Sequence, residues 1–160
     1  MASPAPRPRA AVRQTGGRTI LVADRDQRSR TATGAILRRL GFEVAEADSS
    51  RAALSRGRSG PYSCGILDLN LSDSGPFDLC RRLLATPGWT WTPVIFTCVR
   101  SPELDLRSAL QDGGFAYLLK PFRADQLLAA VGDALAASVP LREAQPDRRL
   151  VLAQAEAAAG

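Results

Sequence analysis

The chain has 160 residues, 45% of them hydrophobic, and a formal charge of +5. That composition suits one globular domain with some tail, large enough to bury a core without disulfides or metals. Histidine is absent altogether, which excludes Ser-His-Asp and Cys-His hydrolases, histidine-ligated zinc and any phosphohistidine role.

Residues 1–17 form a Pro/Ala/Arg-rich leader, with Arg7, Arg9 and Arg13 and no acid among them. Such a segment buries too little apolar surface to order itself, and it is predicted to be a solvated, disordered leader. It lacks the apolar core of a signal peptide, and no run approaches the roughly 18 to 20 apolar residues that cross a bilayer. The expected location is the cytoplasm, with no membrane partner.

From residue 19 onward short apolar runs alternate with helix-length segments. Thr19 to Asp24, Ser63 to Leu69, Pro93 to Val99 and Ala116 to Lys120 are nearly unbroken, as in parallel strands covered on both faces. Phe42 to Asp48 alternates apolar with acidic residues, which suits an edge strand. Between these runs, Gln27 to Leu40 places Ile36, Leu37 and Leu40 on one side and stops at Gly41. A second helix follows the cap residues Asp48 to Ser50, and a third carries Leu79, Leu83 and Leu84. The fourth starts at Ser101 and Pro102, and the fifth runs from Ala124 to about Ala137. Five strand-helix units with right-handed crossovers predict an α/β, flavodoxin-like doubly wound (βα)5 fold, a parallel five-stranded sheet of order 2-1-3-4-5. Cys64, Cys80 and Cys98 fall in or beside apolar segments with no C-x-x-C spacing, so buried reduced thiols are expected.

In such a fold the site lies at the carboxyl ends of the strands. Asp24 and Asp26 follow the first strand, Asp68 closes the third, Thr97 and Cys98 close the fourth, and Lys120, the chain's one lysine, closes the fifth. An aspartate ending an apolar strand is costly to desolvate unless a cation meets it. Lys120 is one such cation, and Mg²⁺ is another, since it takes a few carboxylates, a carbonyl and retained waters. Asp26, at the start of the first helix, is equally suited to be that helix's N-cap.

"ILVAD" with "RDQ", "YSCGILDLNLSDSGPFDLCRRL", "PVIFTCV" and "DGGFAYLLKPF" together resemble the receiver domain of bacterial two-component response regulators over residues 18–137. The resemblance implies that Asp68 accepts a phosphoryl group from a sensor histidine kinase or phosphotransfer protein. It implies that Lys120 pairs with Asp68 and then with the phosphoryl oxygens. Mg²⁺ is implied on Asp24, Asp68 and the backbone carbonyl of Asn70, with Asp26 a further candidate ligand, and Tyr117 resembles the aromatic switch residue. The implied protein is a signalling switch and not an enzyme.

The likeness has departures. Arg25 stands where the family has a second acid, the direct metal ligand. At ~5 to 6 Å and an effective dielectric of ~20, each unit of charge is worth roughly 3 kcal/mol before screening, so Mg²⁺ affinity is expected to fall. The phosphate-binding hydroxyl position falls on Cys98, a poorer hydrogen-bond partner. Thr97, one residue early, is expected by strand alternation to face the other way, and Val99 brings bulk where a small residue is usual. After Asp68, Ser72 replaces the usual Pro and Pro76 the usual Gly, with Gly75 one place early. Two readings stay open: a phosphorylatable receiver, and a pseudo-receiver that binds proteins independently of phosphate.

Residues 138–160 read as a linker and an Ala-rich helical tail, with no room for a DNA-binding domain in this chain. Output is expected through a surface of the fourth helix, fifth strand and fifth helix, near Tyr117, Arg107 and Arg123, toward a downstream protein or a second copy in a homodimer. In "TPGWTWTP", Trp89 and Trp91 alternate, and packing against the core is the expected explanation.

Overall fold

In the computed structural model, residues 18–71, 77–99 and 113–141 are described. The leader, the loop of Ser72, Gly75 and Pro76, the predicted fourth helix with Arg107, and the tail from residue 142 lie outside them. Five strands, β1 (Thr19–Ala23), β2 (Glu43–Ala47), β3 (Cys64–Asp68), β4 (Val94–Val99) and β5 (Ala116–Lys120), form one parallel sheet. Its order is β2-β1-β3-β4-β5, as predicted. Four helices accompany it among the described residues: α1 (Gln27–Arg39), α2 (Ser50–Gly57), α3 (Asp78–Leu84) and α4 (Ala124–Leu141). The last runs beyond Ala137, where the apolar periodicity placed its end.

Helix ends follow the local chemistry. Asp26 caps α1, its Oδ1 accepting from the N–H groups of Arg28 and Ser29. At the other end Gly41 adopts φ +85°, while Gly41 N–H donates to Arg38 O and Phe42 N–H to Leu37 O, a Schellman ending. Ser49 caps α2 through Ala52 N–H. At α4 the Gln126 side chain reaches back to Arg123 N–H, half of a capping box.

The apolar runs are apolar because both sheet faces are covered. On one side Leu21, Leu67, Val94 and Phe96 pack with Ala53 and Leu54 of α2 and with Leu79, Cys80 and Leu83 of α3. On the other, Ile20, Ile66 and Ile95 pack with Leu37 of α1 and with Leu127, Val131 and Ala134 of α4. Each fully buried Leu or Ile stabilises the fold by roughly 1.5–3 kcal/mol relative to exposure. β1, β3 and β4 are almost wholly buried, whereas β2 at its edge is half-exposed, as its acidic alternation requires. The unbroken apolar run of β5 predicts cover on both faces, yet its last three residues are only partly buried. It is the other edge of the sheet, so it has a neighbouring strand on one side alone. All three cysteines are buried, and none is in a disulfide.

Trp89 anchors the end of the sheet opposite the strand carboxyl ends. It is fully buried, its ring lies 5.0 Å from that of Tyr62, and its Nε1–H donates to Gly57 O at 2.9 Å. Trp91 is 43% exposed, so only one of the pair joins the core. No helix among the described residues is long and apolar enough to cross a membrane.

Candidate functional site

The register of the sheet gathers the polar strand ends. Ala23 pairs with Leu67 and Asp68 with Thr97, so Asp24 emerges beside Asp68, and Lys120 closes the adjoining strand opposite Val99. Asp24 and Asp68 are buried at 5% exposure each. Burial of two carboxylates demands a cation, and Lys120 supplies it: its Nζ lies 2.7 Å from Asp24 Oδ2 and also forms an ion pair with Asp68 Oδ2. The remaining oxygens are satisfied by the turns that leave each strand. Asp26 N–H donates to Asp24 Oδ1 at 2.9 Å, and Asn70 N–H to Asp68 Oδ1 at 2.6 Å.

Burial weighs against the Lys120 ammonium, but hydrogen bonds to Asp24 and Asp68 and the charges of both hold its pKa above the ordinary 10.5. The lysine is therefore a fixed positive charge at neutral pH.

The structure corrects the expected direction of Thr97. Residues in register on adjacent parallel strands project to the same face, and Thr97 is the register partner of Asp68. Its Oγ1 stands 3.4 Å from Asp68 Oδ2, a long contact for an O–H···O bond, in a buried setting. Cys98 alternates to the opposite face, in the cluster of Phe96, Leu119 and Tyr117. Burial, then the Asp68 charge, push its thiol up to about 11, with Lys120 pulling the other way. A thiol so raised stays protonated at neutral pH in the absence of a metal, which weighs against a nucleophilic role. Val99, in register with Lys120, is exposed at the end of β4.

Asp26 is exposed, and two backbone hydrogen bonds to its capping oxygen, from Ser29 and then Arg28, hold its carboxyl below the ordinary value. Arg25 is exposed beside it. Tyr117 is buried, in register with Phe96. Two residues went unnoticed in the sequence: Arg30, whose Nη1 donates to the Asp24 carbonyl at 2.9 Å, and Glu46, which pairs with Arg30 and Arg38. The available signal was an arginine on the α1 stripe that continues through Thr33, Gly34 and Leu37 to the sheet.

Asp24, Asp68 and the Asn70 carbonyl are hard oxygen donors of the kind Mg²⁺ takes one or two at a time while keeping its waters. No three His, Cys, Asp or Glu side chains converge as a metal cage among the described residues. The donor set thus fits Mg²⁺.

Comparison with known proteins accords with this geometry. A family model described as the response regulator receiver domain matches residues 20–132. The chain is similar to the transcriptional regulatory protein GltR of Pseudomonas aeruginosa, with 35% identity over 118 residues, 72% of this chain and 48% of that protein. It is also similar to TcrA of Mycobacterium tuberculosis, with 31% identity over 121 residues, 76% of this chain and 47% of that protein. The chain spans about half the length of these two relatives. Among solved structures, the receiver domain of the sensor histidine kinase PA1611 from Pseudomonas aeruginosa, with a magnesium ion coordinated in its active site cleft, superposes with a TM-score of 0.68. That likeness covers 75% of this chain and 98% of that one at 23% identity, and shows the fold.

Proposed function

The chain belongs to the response regulator receiver domain family, and on that premise we propose that it is a two-component signalling switch phosphorylated on Asp68. The donor is the phosphohistidine of a sensor kinase or phosphotransfer protein. An Asp68 carboxylate oxygen attacks phosphorus, the P–N bond breaks, and the departing imidazole takes up a proton.

The observation that carries this reading is the convergence of Lys120 Nζ and Thr97 Oγ1 on one oxygen, Asp68 Oδ2. A carboxylate so placed is buried against water, and its cation is free to follow charge onto a phosphoryl oxygen. Lys120 is a compact point charge that suits this task better than a planar guanidinium. In this reading Thr97 supplies the hydroxyl, and the Cys98 thiol packs on the other face of β4. Asp24, Asp68 and the Asn70 carbonyl would hold Mg²⁺, which would supply neutralisation of the charge on the transferring group. Asp26 stays at its cap. Phosphorylation takes the side chain from about −1 to about −2, and Tyr117 reorients in response. The surface of β5 and α4 near Arg123 passes the change to a downstream protein or a second copy.

Incubation with a kinase or a small acyl phosphate plus Mg²⁺ is expected to yield an acid-stable, hydroxylamine-labile adduct that Asp68→Asn lacks. No adduct with any donor would overturn the assignment. The second reading, a phosphate-independent protein-binding module, is favoured by Arg25 in the place of an acid. On that reading neither Mg²⁺ nor a phosphoryl mimic alters partner affinity.

A further inference from the structure

Asp24 is held at every polar atom. Its N–H donates to Ala47 O at 3.0 Å, its Oδ1 accepts from Asp26 N–H, and its Oδ2 meets Lys120. Its carbonyl lies where the chain leaves the sheet, beyond the last strand partner, and the acceptor is taken by the Arg30 guanidinium at 2.9 Å. That guanidinium is itself braced. Arg30 Nε lies 3.4 Å from Glu46 Oε2, and Glu46 Oε1 lies 2.8 Å from Arg38 Nη2. Gly34 leaves the space for this brace, since a Cβ there would stand 2.7 Å from Glu46 Oε1 and 2.9 Å from Arg38 Nη1.

The Asp24 carbonyl belongs to the peptide that joins Asp24 to Arg25. Because a peptide is a rigid plane, holding its oxygen narrows the torsions on both sides, and with them the directions in which both side chains leave the backbone. One of them must enter the crevice and the other must not. A guanidinium turned inward would oppose any cation placed beside Asp24 and Asp68.

We propose that Arg30, braced by Glu46, is a positioning residue that locks the Asp24–Arg25 peptide, presenting the Asp24 carboxylate to the crevice and keeping Arg25 at the rim. The role rests on the reading of Asp24 as a cation-holding group. It acts through the Asp24–Arg25 peptide, chiefly by keeping the Arg25 charge out of the crevice, without touching metal or phosphoryl group.

Two readouts on the full chain separate this role from general stability. The first needs no ligand: in Arg30→Met, amide exchange at Asp26 N–H, which reports its bond to Asp24 Oδ1, should quicken about tenfold or more while β1 and β3 amides keep their protection. Glu46→Gln, which removes the brace and spares the guanidinium, should do the same to a smaller degree. The second is Mg²⁺ affinity by calorimetric titration. Arg30→Met should weaken it about tenfold, whereas in an Arg25→Gln background the same change should cost less than about twofold. Unchanged Asp26 exchange, or exchange that quickens equally throughout the sheet, overturns the proposal. So does an Mg²⁺ loss of equal size in both backgrounds. If the parent chain and all variants bind no Mg²⁺, the metal assignment fails, and the amide arm decides the role of Arg30 by itself.

Discussion

Lys120 shares one ammonium between two buried carboxylates, and the consequence is a pH signature. Its pKa is raised in the folded chain, so its contribution to stability is fully present below the ordinary value of 10.5 and is lost as pH rises through the higher folded value. Tyr62 and Cys98 are shifted upward as well, chiefly by burial, and add to an alkaline decline. The Lys120 share is isolated by comparing the parent with Lys120→Met in thermal melts from pH 7 to 12. The gap in melting temperature should be constant below about pH 10 and narrow above it. At Asp68 the contact with Thr97 makes a second expectation. Thr97→Val should lower phosphoryl uptake about tenfold or more through loss of a hydroxyl donor, while Cys98→Ala, which removes a protonated thiol on the opposite face, should leave uptake within about threefold. The identities of Asp24, Asp68 and Lys120 were legible because charge at the end of an apolar run is conspicuous. The direction of Thr97 was not, since it depends on which residue it faces across the sheet and not on counting along its own strand.

Elements meet at distances that the sequence shows only obliquely. α2 closes on the sheet because Gly57 and Gly65 have no side chain where Trp89 and Leu83 sit. A Cβ at Gly57 would stand 2.6 Å from Leu83 Cδ2, and one at Gly65 3.0 Å from Trp89 Cζ3. Gly57→Ala should therefore cost about 1–3 kcal/mol in urea denaturation with an unchanged slope, the penalty of overpacking a filled core. The boundaries of β1 to β5, and the caps Asp26 and Ser49, were readable from local chemistry. Trp89 and Trp91 could not be told apart by pattern, because both follow turn residues and only the approach of α2 selects which indole has a carbonyl partner in Gly57.

For the whole molecule, a ligand that binds only the folded chain raises its stability by mass action. If the crevice takes Mg²⁺ and a phosphoryl mimic, each at ~100 times its dissociation constant should add about 2.7 kcal/mol and raise the melting temperature measurably. No shift with either would favour the phosphate-independent module. Architecture was settled by the sequence: alternating apolar runs and amphipathic segments admit few packings, right-handed crossovers prune those to the order β2-β1-β3-β4-β5, and that order sends every strand's carboxyl end to one rim. The residues that would do chemistry followed from the same rule. Tertiary structure alone decided how those residues are held: Lys120 bridging two carboxylates, Thr97 turned to Asp68, and Arg30 gripping the Asp24 carbonyl from a helix braced on the edge strand. Local pattern records whether a side chain is buried and how a helix begins. Hydrogen-bond partners 29 or 96 residues apart along the chain are set by register between strands and by the angle at which helices pack, and no stretch of sequence contains those quantities by itself.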